Sequence, residues 1–135
     1  MRLFIIMAIA VFGFFSSPVQ AQAFEKPAYY AVKFHSDYCG SCKIMAPEID
    51  QAFGEGGLNK EDILFVKLDF TDKGTIHQAK LKAAALGIDG FLKEAGAKTG
   101  YMVLLDAATN EELARFTKES KAADIVATIE EKLGS

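Results

Sequence analysis

Apolar positions along this chain change period several times, and the changes mark out its elements. Tyr29 to His35 (Tyr-Tyr-Ala-Val-Lys-Phe-His) is rich in aromatic and β-branched residues, which predicts a strand that runs straight into Cys39. After Gly40 and Ser41, the residues Ile44, Met45, Ile49, Ala52 and Phe53 recur at helical spacing until Gly54, Gly56 and Gly57 end the pattern. Pro47 falls inside that helix and is expected to kink it. Ile63 to Asp69 is a second apolar strand, and Thr75 with Gln78 three residues later reads as a capping box for a helix that closes at Gly87. Strand, helix, strand, helix is the pattern of a parallel pair with crossovers. Between Ile88 and Thr99 the pattern supports only a short helix around Phe91 to Ala95. Tyr101 to Asp106 is then a strand, Ala107 to Asn110 a turn and Leu113 to Phe116 a returning strand, which together make a hairpin. Ser120 is placed to cap a last helix whose apolar face is Ile125, Val126, Ile129 and Leu133, before Gly134.

The first 23 residues follow none of these patterns. Met1 to Ala23 holds one base, Arg2, and no acid, with an apolar run from Leu3 to Phe15 broken only by Gly13. Small and polar residues follow, with two small-x-small cleavage sites, Val19-Gln20-Ala21 and Ala21-Gln22-Ala23, so the segment reads as a secretory signal peptide. An uncleaved anchor is the alternative, but the run is shorter than the ~20 residues of a membrane span. No cysteine lies near either site, which excludes a lipid-modified amino-terminal cysteine. The expected organisation is a signal peptide over 1–23 and one domain over 24–135. The product is exported, to the periplasm in a Gram-negative cell and otherwise to the medium.

Composition adds two exclusions. A chain of 135 residues, half of them apolar and 24% charged, has room for one ordinary globular domain and not for two large ones. Fifteen basic against eighteen acidic residues give a net charge of −3, with no basic excess or basic block, so a nucleic-acid partner is set aside.

The chemistry rests on the two cysteines, Cys39-Gly40-Ser41-Cys42. They are too few for a disulfide framework or a zinc ribbon, and they lie at a strand-to-helix junction. There the free amides and the macrodipole of the helix stabilise a thiolate on Cys39, the expected nucleophile. Cys42, one turn into the helix, is more shielded and placed to resolve a mixed disulfide. Lys43 stands where covalent haem attachment needs a histidine. A zinc site would have to recruit both His35 and His77, at separations of no recognised pattern, and a purely structural disulfide would close a ring too small to remove much chain entropy.

The run Val32 to Pro47 (Val-Lys-Phe-His-Ser-Asp-Tyr-Cys-Gly-Ser-Cys-Lys-Ile-Met-Ala-Pro) resembles the active-site segment of the thioredoxin family. Tyr38 precedes the first cysteine, a lysine follows the second, and Pro47 sits five residues after Cys42, where the family kinks its helix. The order of elements from Tyr29 to Leu133 matches the family's minimal core. The resemblance implies an α/β fold with a four-stranded mixed sheet in the order 2-1-3-4 and helices on both faces. It also implies cofactor-free thiol-disulfide exchange with protein substrates by Cys39 and Cys42, flanked by Tyr38, Gly40 and Ser41. An enzyme of this kind in an oxidising compartment needs a redox partner at the membrane, and the Gly-Ser dipeptide leaves the direction of electron flow open.

Two positions depart from the family. Where it holds a cis-proline opposite the dithiol, this chain has Lys98-Thr99-Gly100-Tyr101, so Thr99 or Gly100 must take that place. A trans peptide is expected, because a non-proline cis bond costs ~3 kcal/mol. Lys33 stands where many members carry a buried acid. It can favour a thiolate by Coulomb attraction, or reach a solvated edge or a carboxylate such as Asp69. Two other classes of function stay open on the sequence: a metal-binding or metal-delivery module using the same dithiol as soft ligands, and a redox-inert binding domain. Of the aromatics, Phe34, Phe65, Phe70 and Phe116 are expected in the core, and Tyr38 exposed.

Overall fold

The computed structural model of the chain describes residues 26–54, 57–58 and 62–134, so the expected signal peptide, with both cleavage sites, lies outside the described residues. Its elements are β1 (Tyr29–His35), α1 (Gly40–Phe53), β2 (Ile63–Asp69), α2 (Lys73–Leu86), α3 (Asp89–Ala95), β3 (Tyr101–Asp106), β4 (Glu112–Phe116) and α4 (Ala122–Leu133). The strands form one sheet in the order β2-β1-β3-β4. β1 runs parallel to β2 and antiparallel to β3, and β4 returns antiparallel to β3 across an irregularity at Leu104/Leu105. This is the four-stranded thioredoxin-like α/β fold that the family resemblance implies.

The central strands β1 and β3 form from apolar runs that bury both faces. In central β1, Tyr30, Val32 and Phe34 alternate onto the layer of α2 and α3, while Ala31 joins Met45, Ile49, Ile125 and Ile129 under α1 and α4. Burying each large side chain of this kind stabilises the fold by ~1.5–3 kcal/mol. Phe34 stacks on Tyr101 at 4.6 Å and lies 6.0 Å from Phe70, so aromatic rings tie three neighbouring elements beneath the dithiol end of the sheet.

Several element ends differ from the sequence expectation, each for a local reason. α2 starts at Lys73, because Asp72 and not Thr75 is its cap. The Asp72 carboxylate accepts from the Thr75 amide (2.9 Å) and the Thr75 hydroxyl accepts from the Asp72 amide (2.9 Å), so the reciprocal box pairs Asp72 with Thr75 and not Thr75 with Gln78. Gly87 closes it as expected, in the left-handed region at φ 74°. α3 begins two residues before Phe91, with Lys93 reaching back to Asp89 at 3.4 Å. Ser120 does not cap α4. Its hydroxyl accepts from the Thr117 amide (3.1 Å), and the first amide of α4, on Ala122, donates instead to Glu48 of α1 (2.8 Å). Phe65 is 40% exposed against Phe53 on the sheet edge and so is not in the core, whereas Phe34 and Phe116 are buried.

Candidate active site

The dithiol lies where β1 hands the chain to α1. Ser36, buried just past β1, makes the turn: its carbonyl accepts from the Cys39 amide (3.1 Å) and its hydroxyl from the Tyr38 amide (3.3 Å). Thr71 fastens the same turn to the loop after β2, since its hydroxyl accepts from the Asp37 amide (3.0 Å) and donates to Asp69 (2.6 Å). The chain therefore enters α1 with Cys39 as its cap residue, and the Cys39 sulfur accepts from the Cys42 amide at 3.2 Å. Both cysteines are free thiols, Cys39 half-buried and Cys42 only 1% exposed.

Phe34 supplies the anchor beneath them. Its carbonyl accepts from the Cys42 thiol (3.5 Å) and from the Gly100 amide (3.0 Å), so one backbone oxygen holds both the inner sulfur and the loop facing the dithiol. Gly100 adopts φ +91°, and a side-chain carbon there would stand 2.9 Å from Ser41 Cβ and 3.2 Å from Cys39 Sγ. Only glycine lets the loop approach this closely. The described residues contain no cis peptide, so the Thr99–Gly100 segment takes the family's proline place in the trans form.

The two thiols are driven apart. Desolvation works to raise the Cys39 pKa, but hydrogen bonds from Cys42, from the Thr99 side chain and from the Cys42 and Ser41 backbone outweigh it and leave the thiol below its ordinary value. Cys42 is pushed up, first by burial and then by its hydrogen bond to Cys39. The result is an outer sulfur disposed to ionise and an inner one that keeps its proton.

Of the residues singled out from the sequence, Cys39, Ser41, Cys42, Thr99 and Gly100 come together. Tyr38 stands beside them at 85% exposure, with Ile44 of the first turns of α1 also outward at 54%. Gly40 faces open space, and a side chain there would touch nothing within 4 Å. Lys33 is buried on β1, in register with Lys67 and Met102, and Asp69 pairs with Lys67 (3.5 Å) instead of Lys33. Among the described residues the potential metal ligands that converge are His35, Asp37 and Asp69. Neither cysteine joins that group, and His77 lies exposed on α2, so the Cys-Cys-His-His set is not assembled. Sequence reasoning missed Phe34 and Ser36 as parts of the site. Ser36 carried a readable signal, a small hydroxyl residue just after a strand. Phe34 carried none, because it acts through its carbonyl.

The thioredoxin family model matches residues 15–86, more than half of the chain. A protein of Schizosaccharomyces pombe named as a protein disulfide-isomerase is 42% identical over 45 residues, which are 33% of this chain and 9% of that protein. The chain thus spans about a tenth of the length of that relative. The crystal structure of Trxlp from Edwardsiella tarda aligns over 74% of this chain and 80% of its own, with 18% identity and a TM-score of 0.46.

Proposed function

Since the chain belongs to the thioredoxin family, whose members are thiol-disulfide oxidoreductases, we propose that it is an exported enzyme exchanging disulfides with protein substrates through Cys39 and Cys42. The observation that carries this reading is the asymmetry of the two sulfurs on one helix end. The Cys39 thiolate attacks one sulfur of a substrate disulfide, forming a mixed disulfide and expelling the other substrate sulfur as a thiolate that takes a proton from water. Cys42 then gives up its proton and attacks the Cys39 sulfur, releasing the second substrate thiolate. The substrate has gained two electrons and two protons, and the pair is left as the Cys39–Cys42 disulfide. The same steps reversed oxidise a substrate dithiol, and the partner that resets the pair sets the direction.

Export is supported by the charge and apolar pattern of Met1 to Ala23. Among the described residues no helix is long and apolar enough to cross a membrane. A membrane redox partner then supplies or removes the electrons.

Trapping tests the reading. Cys42→Ser is expected to accumulate covalent adducts with exported cysteine-containing proteins that collapse on reduction, and Cys39→Ser to accumulate few. Equal trapping by both variants would remove Cys39 from its role as the attacking thiol. No trapping by either, with a wild-type pair that resists reduction and reoxidation, would leave a metal-binding or inert domain in place of the enzyme.

A further inference from the structure

A cleft of about 470 Å³ opens between α2 and α3. Phe70, Ile76 and Leu92 line its apolar part, and Lys80, Lys93, Asp89 and Gly96 also line it. The space is in the range of small-ligand pockets and takes a whole leucine or phenylalanine side chain.

Two features connect this cleft to the site. The Phe70 amide donates to the His35 carbonyl (2.8 Å), so the floor of the cleft is tied to the last residue of β1, from which the chain turns into Cys39. Gly96 is four residues before Gly100, which lies against the Cys39 sulfur. Four residues span at most ~14 Å, so Gly96 lies within that distance of Gly100, and an extended peptide running from Cys39 along this loop covers it in about four residues.

Charge narrows what can fill it. Lys93 is paired with Asp89 at 3.4 Å, whereas among the described residues no carboxylate lies within ion-pair distance of Lys80. An apolar floor beside an uncompensated ammonium fits a bulky apolar side chain next to a carboxylate.

We propose that the α2–α3 cleft is a specificity subsite for the substrate protein, taking an apolar residue with an adjacent acidic residue that lies three to five positions from the cysteine under attack. The proposal rests on the oxidoreductase reading and names the substrate sequence that the reading leaves open.

The test uses the reduced full domain and short peptides whose single cysteine carries a thiopyridyl group, so that attack by Cys39 releases a coloured thiopyridone. A Phe-Glu pair is moved from one to six positions on either side of the cysteine, with an Ala-Ala peptide as reference and a dipyridyl disulfide as a small substrate that cannot span the two places. The rate is expected to peak with the pair three to five positions away, ~10-fold above the reference. Lys80→Glu, an exposed change, and Ile76→Gln, a half-buried one, should each remove most of that gain and leave the rate with dipyridyl disulfide unchanged. A rate indifferent to the position of the pair, or variants that slow every substrate alike, would overturn the subsite while the enzyme reading stands. Failure of the wild type with dipyridyl disulfide itself would overturn both.

Discussion

The Cys39 sulfur accepts from the Cys42 amide at 3.2 Å, and among the influences that lower its pKa one comes from a side chain outside the cysteine motif, that of Thr99. Thr99 stands on the loop that replaces the family's proline, so the departure puts a hydroxyl that favours the thiolate beside Cys39. Thr99→Val keeps the shape and removes the donor. Its Cys39 is expected to titrate at higher pH than the wild type and to alkylate several-fold more slowly at pH 7, because less of it is ionised. Alkylation rate against pH gives both numbers, and curves that overlay would remove Thr99 from the tuning of the thiol. The linkage has a definite sign. A cysteine whose folded pKa is depressed adds stability to the reduced protein that is fully present above the unfolded value of ~8.5 and is lost as pH falls through the folded one. Thr99→Val should narrow that window from below.

At the scale of elements, α1 carries the dithiol and α4 holds α1 in place. Glu48, six residues after Cys42, accepts from the Ala122 amide (2.8 Å) and pairs with Lys121 (3.2 Å). A side chain of one helix therefore caps the other, where Ser120 was expected to serve. The Ala122 amide and then Lys121 hold the Glu48 carboxyl below its usual range. This contribution is present at neutral pH and lost as pH falls through the folded pKa. Glu48→Gln keeps the volume and weakens both contacts, and it is expected to lower the melting temperature by a few degrees at pH 7 and to differ less from the wild type at acid pH. A constant difference across pH would mean that packing, and not charge, makes the link. What the sequence showed and what it hid divide along the same line. β1, β2 and β3 were legible to the residue, because runs such as Ile63 to Asp69 carry their own periodicity. The caps of α2 and α4 were not, since Asp72, Thr75 and Glu48 are chosen by distances that exist only after folding. Within the site, the cysteine motif and its flanking Ser41 and Tyr38 were legible as side chains, and the Thr99–Gly100 place followed from the family pattern. The Phe34 carbonyl was invisible, because every residue has one.

Across the whole molecule, the sheet has two edges, and the edge at β2 is guarded. Lys67 charges that strand, and the Lys82 ammonium of α2 donates to the Lys67 carbonyl (3.0 Å). Both work against pairing with another chain. The start of the fold bears on export in a second way. The Ala28 carbonyl accepts from the Ala107 amide (2.9 Å) and the Tyr29 amide donates to the Asp62 carbonyl (2.9 Å), so the domain is fastened from Ala28 onward. Cleavage after Ala21 or Ala23 removes nothing that these bonds use. The export proposal therefore predicts a mature protein that begins at Gln22 or Phe24, is recovered in the soluble exported fraction, and has the same melting temperature from either start. Intact-mass measurement on protein from the native host, with thermal melts of the two forms, checks all three. A mass that includes Arg2, or tight retention in the membrane fraction, would show instead that the apolar run from Leu3 to Phe15 stays attached as an anchor.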